Sequence, residues 1–128
     1  MDKEIFELLS KEAEFPYNYG KIDKIKKAIE LNPSCGDIVI IYLKTNNNYN
    51  NIESMFFESK GCILSKAACS LLARYVEGKP LSFFINSSSE EILADLFLVN
   101  KIDLKLGINR LKCGLLPIMA LKKGLVDA

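Results

Sequence analysis

The chain has 128 residues, a net charge of +1, 49% hydrophobic and 26% charged residues, the balance of an ordinary soluble domain without the positive excess that a nucleic-acid or anionic-membrane partner asks for. No stretch approaches the ~20 apolar residues of a membrane span. The charged start Met1-Asp2-Lys3-Glu4 has no apolar signal core behind it, so the expectation is one cytoplasmic domain with its own core.

Residues 2–13 carry Ile5, Leu8 and Leu9 at helical spacing, with Asp2 available as the cap, and the cluster Phe15-Pro16-Tyr17-Asn18-Tyr19-Gly20 ends that helix in a turn. Residues 21–31 read as a short helical turn leading into a strand. Asp37 to Thr45 contains the continuous apolar run Ile38-Val39-Ile40-Ile41-Tyr42-Leu43, the pattern of a strand buried on both faces. The asparagine-rich turn 46–51 then joins it to a partner strand over Ile52–Lys60. A helix follows over Ser65–Val76, with Ala67, Ala68, Leu71, Leu72 and Tyr75 as its packing face, stopped by Gly78-Lys79-Pro80. After the apolar Leu81-Ser82-Phe83-Phe84-Ile85, the run Ser87-Ser88-Ser89-Glu90-Glu91 caps a helix over Ile92–Val99. Leu106-Gly107-Ile108-Asn109 makes a turn. The last helix is expected from about Asn109 to Lys123, closed by Gly124, with Pro117 kinking it or marking its start. The sum is an α+β fold: a small antiparallel sheet of about three strands packed against helices.

The chemistry lies in four cysteines and no histidine. In a reducing compartment such cysteines are buried, metal-binding or reactive rather than paired. Cys35 stands two residues before Asp37 across Gly36, so in an extended turn both side chains point the same way and offer a cation two ligands. Cys62 follows Gly61 at a strand-to-helix junction, where a helix amino terminus favours the thiolate, and Cys113 falls near the start of the last helix. Cys69 is two helical turns beyond Cys62, about 10 Å away, and reads as a core residue. Imidazole being absent, Cys35, Cys62, Cys113 and Asp37 form the candidate ligand set, with Lys112 and Arg110 to offset its negative charge. Thiolates favour zinc, copper(I) or iron–sulfur clusters over magnesium or calcium. The ligands are scattered singly over three elements and include one oxygen, which favours a site that opens and exchanges ligands.

The motifs Asn32-Pro33-Ser34-Cys35-Gly36-Asp37, Gly61-Cys62-Ile63-Leu64-Ser65-Lys66-Ala67-Ala68-Cys69-Ser70 and Arg110-Leu111-Lys112-Cys113-Gly114 together resemble the IscU/SufU/NifU amino-terminal family of iron–sulfur cluster assembly proteins. The turn Phe15–Gly20 and the segment Glu77-Gly78-Lys79-Pro80-Leu81 extend the likeness over nearly the whole chain, as a single domain spanning 1–128. The resemblance implies a SufE/NifU-like α+β fold and sulfur received from a cysteine desulfurase. It also implies a nascent cluster or zinc held by Cys35, Asp37, Cys62 and Cys113. The sulfur acceptor it implies is Cys113 in IscU-type scaffolds and Cys35 in SufU-type sulfurtransferases. Lys112 stands where IscU proteins carry histidine, which is SufU-like. The Leu-Pro-Pro-Val-Lys segment of IscU proteins has no counterpart in residues 100–109, and the spacing from Cys62 to Cys113 is shorter than in SufU proteins.

Three readings follow. The first is a scaffold that builds a transient [2Fe–2S] cluster for transfer to apo-proteins or carriers. The second is a zinc-dependent sulfurtransferase that relays persulfide sulfur. The third is an interaction module with a structural zinc.

Overall fold

A β-branched run imposes a strand where neighbouring strands can pair with it, and the computed structural model places Asp37–Asn46 at the centre of a three-stranded antiparallel sheet. The structure describes residues 3–22, 26–32, 36–46, 50–100, 102 and 108–126. In chain order its elements are α1 (Lys3–Glu14), β1 (Lys26–Asn32), β2 (Asp37–Asn46), β3 (Asn51–Lys60), α2 (Ile63–Val76), α3 (Leu81–Asn86), α4 (Ser89–Val99) and α5 (Ile108–Val126). The strands lie in the order β1-β2-β3, with Asn32 opposite Asp37 and Ile38 opposite Lys60. A register shift at Lys44/Thr45 marks a bulge near the far end of β2 and β3.

The expectation that β2 is buried on both faces holds for only one. Asp37, Val39, Ile41 and Leu43 alternate onto the face that α2 and α5 cover, while Ile38 and Ile40 on the other face are half-buried. Tyr42 on that second face is buried and its hydroxyl donates to the Glu58 carboxylate. A continuous apolar run cannot by itself distinguish a sheet covered on two faces from one covered on a single face.

α1 lies against α2, tied by an Arg74–Glu12 ion pair at 3.2 Å and by Leu9 and Ala13, both buried. The turn after α1 borders β3: Asn18 adopts a left-handed conformation, Phe57 N–H donates to the Asn18 carbonyl at 3.1 Å and Gly20 N–H to the Phe57 carbonyl at 2.8 Å. Residues 21–31 yield the expected strand in β1; residues 23–25, where the helical turn was expected, lie outside the described residues, as does the cap Asp2.

The helices differ from expectation in three places. α2 begins at Ile63 rather than Ser65, because Cys62 takes the N-cap. Leu81–Asn86 forms the short helix α3, burying Phe84 against the core. α5 starts at Ile108, so Ile108 and Asn109 are helical rather than part of a turn, and it runs through Pro117 and past Gly124 to Val126. Gly124 does not close the helix. A Cβ built there would lie 3.3 Å from the Ala28 side chain, so this glycine lets α5 approach β1 closely. α4 matches its reading: Ser88 is the N-cap, and Ser88 and Glu91 form a reciprocal capping box. Among the described residues no helix is long and apolar enough to cross a membrane.

Candidate metal centre

Three separate elements deliver the side chains of the site. Asp37 is the first residue of β2 and falls on its helix-covered face, where period-two alternation places it in line with Val39 and Ile41. Cys62 caps α2 with extended backbone (φ −76°, ψ 157°), its sulfur accepting from the Ser65 N–H at 3.5 Å. Cys113 comes from α5, buried to 8% exposure. One ligand atom of each, the two sulfurs and a carboxylate oxygen, lie within 4.8 Å of one another. That is close enough for one ion, with bonds of about 2.0–2.3 Å, to draw all three in.

Asp37 is the hub of the cluster. It is 1% exposed, and a carboxylate so buried must be met by donors. Cys62 N–H donates to Oδ1 at 2.9 Å, the Ser65 hydroxyl to Oδ2 at 2.8 Å, and the Cys62 thiol reaches Oδ2 at 3.4 Å. Gly61 makes this approach feasible. Its φ of +138° is open to glycine, and a Cβ there would fall 1.9 Å from Asp37 Oδ1. The backbone between β3 and α2 therefore presses directly onto the carboxylate.

The Cys113 thiol is pushed well above its ordinary range, first by burial, then by its neighbours Cys62 and Asp37. The expectation that a helix amino terminus would favour its thiolate is corrected here. α5 begins at Ile108, so Cys113 sits more than one turn inside it, beyond the reach of the terminal N–H groups. A cation brought among these groups would reverse the balance, since it stabilises thiolates that burial alone disfavours. The donor set, two sulfurs and one oxygen, suits a soft or borderline metal with one exchangeable ligand.

Of the four expected ligands the structure brings Asp37, Cys62 and Cys113 together, and Cys35 lies outside the described residues. Gly36 adopts a left-handed φ of 72°, a backbone bend open to glycine. Cys69 is fully buried in α2, as read, and burial alone raises its thiol well above the usual range. Lys112 is exposed, and the Arg110 side chain lies outside the described residues. Sequence reasoning passed over Ser65, taken only as the start of a helix. Its separation of three from Cys62 is the spacing between an N-cap and the N3 position, and that signal would have placed the two side by side.

The model of the family described as NifU-like N terminal domain matches residues 4–127. The chain belongs to this family. It is 34% identical over 65 residues to the iron–sulfur cluster assembly scaffold protein IscU of Aquifex aeolicus, a match covering 51% of this chain and 41% of that protein. The matched stretch thus spans about two fifths of the length of that relative. It is 26% identical over 122 residues to the zinc-dependent sulfurtransferase SufU of Bacillus subtilis, covering 85% of this chain and 80% of that one. Among solved structures, a candidate iron–sulfur cluster assembly scaffold protein for the SUF system from Fervidobacterium islandicum AW-1 superposes with a TM-score of 0.75 at 26% identity, covering 98% of this chain and 96% of that chain.

Proposed function

We propose that this chain, as a single domain, is an iron–sulfur cluster assembly scaffold. It accepts sulfur from a cysteine desulfurase and holds a transient [2Fe–2S] cluster for transfer to apo-proteins or carriers. The observation that carries this reading is the convergence of Asp37, Cys62 and Cys113 from three elements within 4.8 Å. Cys35, two residues before Asp37, would supply the fourth ligand. Thiolates bind the irons of a cluster strongly, whereas a carboxylate is the weak member of such a set. A carrier needs that weakness, because its cargo must leave. Cys35 and Cys113 are the candidate persulfide acceptors: the thiolate attacks the outer sulfur of the desulfurase persulfide and the desulfurase cysteine leaves as a thiolate.

A second reading, zinc-dependent sulfur relay, is favoured by the 80% coverage of the Bacillus subtilis protein. In it the same four residues hold zinc, and a cysteine must leave the metal before it can attack.

Anaerobic mixing with a cysteine desulfurase, cysteine, ferrous iron and a thiol reductant that turns persulfide sulfur into sulfide separates the two. Sulfur-to-iron charge-transfer absorbance that grows in proportion to the protein supports the scaffold. Faster sulfide release without such bands, with zinc retained, makes it a relay. Asp37→Ala should prolong cluster retention in the scaffold and weaken zinc retention in the relay; no effect in either assay removes Asp37 from the site.

A further inference from the structure

Ser65 is buried, at 1% exposure, in the first turn of α2, and its hydroxyl has one proton with two oxygen acceptors in reach, besides the Cys62 sulfur at 3.5 Å. Asp37 Oδ2 lies 2.8 Å away and the main-chain carbonyl of Cys113 lies 3.3 Å away. The second acceptor exists because of a residue on another turn of α5. In an uninterrupted helix the Cys113 carbonyl would accept the N–H of residue 117. Residue 117 is proline, which has no N–H and whose ring crowds the carbonyl four residues back. The Cys113 carbonyl is thereby free to receive a side-chain donor, and Ser65 faces it.

We infer that Ser65 and Pro117 together set how firmly Asp37 holds a bound metal. The Ser65 hydroxyl competes with the metal for Asp37 Oδ2. When Asp37 coordinates, the hydroxyl turns to the Cys113 carbonyl that Pro117 has freed. Only the Asp37–metal bond and the hydrogen bond of Ser65 change, and no proton leaves Ser65. Ser65 is a positioning residue acting through Asp37. This role rests on the metal-site reading above and adds to it the device that controls ligand exchange.

The two residues carry opposite signs, which a merely structural role would not. Ser65→Ala removes the competitor, so Asp37 grips harder. Pro117→Ala restores an N–H that occupies the Cys113 carbonyl, so the hydroxyl is confined to Asp37 and the grip loosens. The test loads the full chain with zinc and follows its transfer to an excess of a chromophoric chelator at fixed pH, with thermal melting of the metal-free variants as a control on folding. Ser65→Ala should slow release about 10-fold or more, the scale of one hydrogen bond to a charged group. Pro117→Ala should speed release, and Ser65→Thr, which keeps the hydroxyl, should restore the wild-type rate. In an Asp37→Ala background Ser65→Ala should change nothing. Unchanged or faster release in Ser65→Ala, or an effect that survives in the Asp37→Ala background, overturns the inference while leaving the site intact. Wild-type protein that retains no zinc, or release indifferent to Asp37→Ala and Cys113→Ser, removes the metal site and this role with it.

Discussion

At the scale of single residues the candidate site is governed by Gly61 as much as by Asp37, Cys62 and Cys113. A side chain there meets Asp37 Oδ1 at 1.9 Å and Asp37 Cα at 3.0 Å, and the φ of +138° is strained for any L-residue. Gly61→Ala is therefore expected to lower stability by about 1–3 kcal/mol, from backbone strain and the displaced carboxylate. It should weaken zinc binding as well, both measurable by urea unfolding and competition with a chelator. Stability and affinity equal to wild type would show that Asp37 is not held by this contact. The sequence exposed the ligand types through composition alone: with no histidine, cysteine and aspartate were the available donors, and Cys69 was separable by its place amid the α2 packing face. It concealed Ser65, because a serine in an apolar helical run carries no mark of a partner that reaches it from a strand 28 residues earlier.

At the scale of elements, local signals were legible and long-range ones were not. α4 could be read because its capping box lies within a few consecutive residues, Ser88 to Glu91. α3 could not, since the five-residue apolar run Leu81–Ile85 fits a buried strand as well as a helix. The end of α5 was misplaced because Gly124 looks like a helix terminator until β1 is seen beside it. That proximity makes a prediction: with Ala28 only 3.3 Å from a built Cβ, Gly124→Val overfills the α5–β1 contact. The expected cost is about 1–3 kcal/mol, read as a lowered urea midpoint at unchanged slope. A neutral result would mean that α5 can shift away from the sheet without loss.

At the scale of the whole molecule, Asp37, Cys62 and Cys113 join the first residue of β2, the cap of α2 and the sixth residue of α5. A metal bound there cross-links elements that the chain connects only through long intervening segments. Zinc should accordingly raise the melting temperature, by the equivalent of about 2.7 kcal/mol at a hundredfold excess over Kd. Cys62→Ser and Cys113→Ser should each abolish most of that rise; a shift that persists in both variants would locate the zinc elsewhere. The interruption at Pro117 bears on how this assembly loosens. A helix missing one rung in its middle is not a single cooperative rod. The stretch that carries Cys113 and the stretch that runs along β1 and β2 are expected to open separately. Backbone amides from 118 to 126 should exchange with deuterium only as slowly as the global unfolding permits, and those before the proline should exchange faster. The protein would then be able to fray at the end that carries Cys113 while the sheet beneath stays intact.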